Sequence, residues 1–414
     1  MTESTAQRSG AEPQDSTETD FSLHIPDSIA EPFGVYVHVP FCSTRCGYCD
    51  FNTYTAGELG SSASPESWSE AIRAEIREAA HRLGARLGRP PSVQTIFFGG
   101  GTPSLVGAAM LNGVLAEIRE NFVLAADAEV TTESNPESVS PAFFEALLRG
   151  GFTRISLGMQ STSSRVLQIL DRAHTPGRAL DAAREALDAG FAHVNLDVIY
   201  GTPGETDADL ARTLDDALGT GIDHVSAYSL IVEDGTALAR KVRRGEIATP
   251  VDDVFARRYE MVAATMADAG FDWYEVSNWA RGEAAQCRHN LGYWRDGDWW
   301  GFGPGAHGHL SGQRWWNIKH PARYAAASGP GLLPIAGGET LDDGGRHIEQ
   351  VMLRLRLAEG LPARMLSADE RARLAPWIDR GLAVVDEGGD EMRYRVTDAG
   401  RLMADGIVRD IIEL

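Results

Sequence analysis

The chain has 414 residues, 43% hydrophobic and 23% charged, a composition that excludes a mainly disordered or fibrous protein. At about 150 residues per domain there is room for two or three domains. The 38 Lys and Arg against 59 Asp and Glu leave a formal charge of −21, which argues against a nucleic-acid partner because such a protein needs a basic footprint. No apolar run reaches the roughly 18 residues of a transmembrane segment. The opening residues, MTESTAQRSGAEPQDSTETD, lack the basic and apolar regions of a secretory signal, so a cytoplasmic location is expected.

In chain order, residues 1–30 are rich in Ser, Thr, Glu and Pro and read as a disordered tail, since they bury too little surface to offset ordering entropy. From Gly34, short β-branched runs alternate with amphipathic stretches: VYVHV with SWSEAIRAEIREAAHRL, VQTIFF with a helix through Val114 to Ile118, then EVTTES, TRISLGM, HVNLDVIY and HVSAYSLI. Such alternation predicts a parallel sheet, in α/β form. Six units suit a doubly wound sheet or an open βα barrel, and both collect ligands at the carboxyl ends of the strands. The loops FCSTRCGYCD, GGGTPS, ESNPES and YGTPGE all fall there.

The expected barrel domain spans residues 31–276. Residues 277–337 form an aromatic, glycine-rich connecting region, and seven of the nine tryptophans lie between Trp273 and Trp316. That density reads as a packed layer or as a surface for a large flat ligand. Residues 338–414 read helix, helix, strand, turn, strand, helix, an order similar to a small winged-helix unit. It has no basic cluster, which favours structure or partner docking over DNA.

Cys42, Cys46 and Cys49 form C-x-x-x-C-x-x-C after the first strand; Cys287 is the fourth cysteine. Close spacing in a reducing compartment points to metal or redox chemistry rather than disulfides. Three thiolates on one loop can hold three irons of a 4Fe-4S cluster and leave the fourth iron open. Zinc patterns instead begin with knuckle-spaced pairs.

This spacing on this loop resembles the radical S-adenosylmethionine (SAM) superfamily. Y-V-H-V-P-F-C, G-G-G-T-P-S, E-x-N-P, R-I-S-L-G-M-Q and D-x-I-Y-G-T-P-G are similar to its HemN/HemW branch, over the chain from about Gly34 to the C-terminus. The resemblance implies a partial (βα)6 barrel, an open iron chelated by SAM, and SAM contacts at Tyr36, Tyr48, Gly100, Gly101, Thr102, Glu133, Gln160, Arg172 and Asp197. The two glycines are expected to admit the methionyl end where a β-carbon would obstruct it. Gly301 to Ala306 formally fits G-x-G-x-x-A, but Pro304 interrupts it and no helix follows, so it is not a dinucleotide fingerprint.

Two places separate the members of that branch. Oxygen-independent coproporphyrinogen oxidases carry a further cysteine two residues beyond the third, and here that position is Phe51. The segment C-R-H-N-L-G-Y-W, with Cys287, His289, Asn290, Tyr293 and Trp294, is similar to the H-N-x-x-Y-W segment of the HemW heme chaperones. Imidazole and thiolate both serve as heme axial ligands. His289 is the favoured ligand, with Cys287 and His307 as alternatives. The resemblance therefore implies a heme carrier serving heme-requiring acceptor proteins, respiratory ones among them, with a radical oxidative decarboxylase of coproporphyrinogen as the alternative.

Overall fold

The computed structural model describes residues 21–172 and 175–413. They are organised around one twelve-stranded sheet. Its centre is β1 (Phe33–Val39), β2 (Ser92–Gly100), β3 (Val123–Ser134), β4 (Arg154–Gln160), β5 (His193–Tyr200) and β6 (His224–Ser229), all parallel and paired in chain order. Between them run α1 (Pro65–Leu87), α2 (Gly107–Asn121), α3 (Pro141–Gly150), α4 (Arg178–Ala189) and α5 (Asp207–Leu218). A doubly wound sheet reverses its strand order at a switch point. Here the order never reverses, and right-handed crossovers then place every helix on the outer face and curl the sheet into a barrel.

Local sequence fixes these helices. Ser64, Ser140 and Thr206 accept the backbone N–H of Ser67, Phe143 and Asp209 as N-caps, relieving donors that the first turn leaves unpaired. Every residue of β4 is buried, as expected for a strand covered on both faces. Ile155, Leu157 and Met159 face the helices, while Arg154, Ser156 and Gln160 alternate toward the lumen.

Beyond β6 come α6 (Asp252–Asp268), then β7 (Asp272–Glu275) and β8 (Asn278–Ala280), with β8 antiparallel to β6. Next, α7 (Arg288–Trp294) leads into β9 (Asp298–Phe302), which lies parallel to β1 on its other side. Strands β10 (His307–Leu310), β11 (Gln313–Asn317) and β12 (Ile335–Thr340) extend the sheet antiparallel from there. The sheet order is therefore β12-β11-β10-β9-β1-β2-β3-β4-β5-β6-β8-β7, with β12 and β7 as unjoined edges.

Two expectations change here. Residues 277–337 are integral to the sheet, and three of their six tryptophans are core: Trp279, Trp300 and Trp315 are buried, the last two meeting edge-on at 5.0 Å. Buried aromatic area of this size stabilises the sheet extension and is withdrawn from any flat-ligand surface. The expected tail is shorter than residues 1–30. Phe21, Leu23, Ile25 and Ile29 pack on the core, and the main chain of His24 exchanges hydrogen bonds with the Gln313 side chain; the rest of that expectation concerns residues 1–20, outside the described residues.

The C-terminal unit has its own core of Val351, Leu355, Leu374, Trp377, Ile407 and Ile411. It comprises α8 (Asp343–Arg354), α9 (Ala368–Asp379), a hairpin of β13 (Ala383–Asp386) and β14 (Arg393–Val396), and α10 (Ala404–Ile412), the expected winged-helix-like order. The first residues past β9, Gly303 to Ala306, turn directly into β10 with no helix, so the G-x-G-x-x-A match is a turn.

Candidate functional site

The barrel rim brings the expected loops together. Cys42, Cys46 and Cys49 line one cavity of about 310 Å³ with Gly100, Thr102 and Glu133. Gln160, Arg172 and Asp197 share that cavity. Burial raises the thiols of Cys42 and Cys49, and each also feels the charge of Cys46. Arg172 donates from Nη1 to Sγ of Cys46 at 3.1 Å and from Nη2 to the carbonyl of Gly158 at 3.1 Å. Among the described residues, no three His, Cys, Asp or Glu side chains gather closely enough to hold a single metal ion. A tetrahedral ion needs its ligands within bonding distance of one point, whereas a four-iron cube takes each thiolate on a different iron. This spread triad, with a cationic donor on one sulfur, fits the cube.

The glycines are also required by the chain's own packing. A β-carbon on Gly101 would stand 2.6 Å from the carbonyl oxygen of Phe41, so Gly101 is needed where the loop crosses the strand that carries Cys42. Gly100 has φ of 110°, a region open chiefly to glycine, and a β-carbon there would strike the His38 ring at 2.5 Å. Both glycines let the loop lie against the cluster segment, and its N–H groups then bond inward: Gly101 to the carbonyl of Val39 and Thr102 to that of Phe41, each at 2.8 Å.

Glu133 and Asp197 face the same space from β3 and β5. Oε2 of Glu133 accepts the N–H of Gly100 at 3.1 Å. Burial, with the nearby Asp197, pushes its carboxyl up to about 8. Asp197 accepts from Nδ2 of Asn195 at 2.7 Å and from the Ser156 hydroxyl at 3.2 Å, and burial raises it to about 6 despite those bonds. Gln160, at the end of β4, has φ of 68° beside a register irregularity. A non-glycine residue in that region marks stored backbone strain of the kind found at functional sites. Tyr36 stacks near Phe97 with its hydroxyl 3.1 Å from Nδ1 of His38; Tyr48 lines both this cavity and a deeper one.

The deeper cavity, about 590 Å³, continues down the lumen past Phe97, Arg154, Asn195 and His224 to Cys287 and Asn290. The H-N-x-x-Y-W segment lies on helix α7. Glu129 caps it: one carboxylate oxygen accepts the N–H of His289 at 3.0 Å and the other that of Arg288 at 3.1 Å. Asn290 and Cys287 reach the cavity; Trp294 packs beside Tyr274 and Leu291.

His289, the favoured axial ligand, is placed differently. Its Nδ1 lies 2.9 Å from the Thr95 hydroxyl, its Nε2 lies 2.8 Å from the Tyr293 hydroxyl, and its ring stacks on Phe97 at 5.2 Å. Burial holds the imidazole neutral, lowering it to about 3. Both nitrogens are thus engaged, and the ring braces the cavity wall as found. Cys287 faces the cavity as a buried thiol raised by burial and by Glu129, and His307 is exposed at the start of β10. Sequence reasoning missed Arg154, Asn195 and His224; each sits two residues from a lumen-facing position on its strand, so period-two alternation would have found them.

Comparison with known proteins accords with this geometry. The Radical SAM superfamily profile matches residues 36–217. A protein named heme chaperone HemW from Mycobacterium tuberculosis (strain ATCC 25618 / H37Rv) is 56% identical over 382 residues, covering 92% of this chain and 95% of the relative. The chain belongs to the HemW family. A second member, from Escherichia coli (strain K12), is 35% identical over 281 residues, 68% of this chain and 71% of that protein. Among solved structures, the coproporphyrinogen III oxidase HemN from Escherichia coli superposes with a TM-score of 0.77 at 24% identity, covering 93% of this chain and 91% of that one, a likeness of fold. Membership of the superfamily implies a 4Fe-4S cluster and SAM. No helix among the described residues is long and apolar enough to cross a membrane.

Proposed function

We propose that this protein is a heme chaperone: it binds heme and transfers it to acceptor hemoproteins, and it carries a 4Fe-4S cluster on Cys42, Cys46 and Cys49 with SAM at the adjoining rim. The observation that carries this reading is the 56% identity, over nearly the full length of both chains, to a protein of that name. Phe51 at the position of the oxidase's additional cysteine supports it against the decarboxylase alternative.

When bound, the cluster supplies an open iron for SAM and a one-electron store. The chain's own residues set the conditions around it. Arg172 places positive charge on the Cys46 sulfur. Glu133 and Asp197, one capped by a backbone N–H and the other by Asn195 and Ser156, present oxygens suited to the amino group and ribose hydroxyls of SAM. Heme would take the lumen beyond, where Cys287 at the N-cap of α7, Asn290 of α7 and the Phe97 ring line the cavity and His289 holds its wall.

The test uses anaerobically reconstituted protein. It is expected to carry about four irons per chain, bind about one heme as one axial site requires, pass that heme to an apo-hemoprotein, and form no protoporphyrinogen from coproporphyrinogen with SAM under reducing conditions. Changing Cys46 to Ser removes the cluster, while Cys287→Ser leaves its absorbance and reduced EPR signal in place. Decarboxylation at catalytic turnover overturns the reading.

A further inference from the structure

Arg154 opens β4 and is 1% exposed. Its Nη1 donates to the carbonyl of Ala285 at 2.7 Å, but its Nη2 has no partner. Among the described residues no carboxylate stands within ion-pair distance of it. A buried guanidinium with no carboxylate in contact is costly, and proteins almost always pair it. Of the polar side chains nearby, the buried Glu129 carboxylate is already engaged by the N–H groups of Arg288 and His289 and by Sγ of Cys287. His224 is neutral by burial, with its two nitrogens against Oδ1 of Asn195 at 2.6 Å and the hydroxyl of Tyr274 at 2.8 Å. The Cys287 thiol is held protonated by burial.

A second orphan stands opposite. Thr131 on β3 is the register partner of Arg154, is buried, and leaves its hydroxyl without a partner. Both residues line the same 590 Å³ cavity. Two adjacent strands thus set one cationic and one neutral donor, both buried and unpartnered, along the wall of one cavity. A planar group with two acceptor oxygens and a negative charge matches a guanidinium edge with a hydroxyl beside it. Phe97, Ile199 and Leu230 elsewhere on the wall suit an apolar body behind that group.

We propose that Arg154 and Thr131 form a carboxylate subsite deep in the barrel lumen that receives an acidic side arm of the bound tetrapyrrole. The class of ligand rests on the heme-chaperone reading; the subsite itself rests on the two orphaned donors. Binding then supplies the missing counter-charge, so the lumen discriminates by the ligand's acid arm as well as by its ring.

The experiment compares heme with its dimethyl ester, in which the acid arms are neutral, by absorbance titration of the cluster-loaded protein. The same comparison is run with iron-free protoporphyrin and its ester by fluorescence. Heme is expected to bind at least about tenfold more tightly than the ester, the ratio for one charge-assisted hydrogen bond. Arg154→Gln is expected to collapse that ratio toward one, and Thr131→Val, a smaller change to the fold, to reduce it. Equal affinity of heme and ester for the unaltered protein overturns the subsite and leaves the chaperone reading standing. Discrimination among iron-free porphyrins with no heme binding supports the subsite and sinks the chaperone reading. Failure of every tetrapyrrole to bind overturns both.

Discussion

The Tyr274 hydroxyl accepts the backbone N–H of Cys287 at 3.2 Å while meeting Nε2 of His224 at 2.8 Å. Asn195 continues the line, touching Nδ1 of His224 with its carbonyl and donating to Asp197 with its amide. Four side chains, Asp197, Asn195, His224 and Tyr274, therefore link the rim to the backbone at the start of α7 through buried hydrogen bonds. Tyr274→Phe deletes the oxygen and leaves a buried N–H and a buried imidazole nitrogen unsatisfied. It is expected to lower stability by about 1–3 kcal/mol, measured by denaturant titration; an unchanged midpoint would show that water replaces the hydroxyl.

The hydrogen bond from Arg172 to Cys46 sets up an electrochemical expectation. A cation on a cluster sulfur favours the reduced, more negative state. Arg172→Gln should therefore move the cluster potential downward. A bond worth about 1.4 kcal/mol corresponds to about 60 mV for one electron. Spectroelectrochemistry on the reconstituted protein reads the shift directly, and a potential that rises would contradict the assignment.

Glu133 carries a pH signature. Its carboxyl, pushed up to about 8 by burial and by Asp197, holds a proton that the unfolded chain releases near 4.5. Between those values the folded state binds more protons, so stability falls as pH rises through that window. Asp197, raised to about 6, acts in the same direction over the lower part. In SAM-free protein, Glu133→Gln is expected to flatten the decline of Tm between pH 5 and 8 and to raise Tm at pH 8. A slope unchanged by the substitution would place its origin in other buried acids, such as Glu75, raised to about 7 by burial.

Removing the His289 ring separates bracing from ligation. His289→Ala takes away a ring packed on Phe97 and bonded to Thr95 and Tyr293. A loss of roughly 2–4 kcal/mol follows from the cavity and the unpaired hydroxyls. If bracing is the ring's role, heme bound to the variant keeps its Soret position, as the engagement of both ring nitrogens by Thr95 and Tyr293 leads one to expect. A shifted Soret band with unchanged stability would restore the axial role.

The six βα units were legible because both periods are clean: HVNLDVIY alternates every second residue, and the intervening helices carry their caps in sequence. The cluster loop and rim loops were legible because cysteine spacing and glycine runs have few competing explanations. Strand β9 was not, since D-W-W-G-F is short, lies among glycines and owes its parallel pairing to β1, a partner more than 250 residues away. The role of His289 was hidden for a different reason. A histidine in a recognisable motif carries no sign of which way its ring points, and Thr95, one of the groups that orient it, comes from a distant strand. Arg154 lay in plain view in R-I-S-L-G-M-Q, but an arginine at a strand start gives no warning that it lacks a carboxylate.

The two edges of the main sheet, β12 and β7, never join. A closed barrel has a bore fixed by strand number and shear. An unclosed one can dilate by a small change of twist between neighbours, spread over many strand pairs, without breaking a rung of any ladder. Such breathing costs little per pair and adds up across the whole arc. A lumen built this way can admit a rigid, plate-shaped guest and let it go again, which a carrier requires and a sealed cylinder would resist.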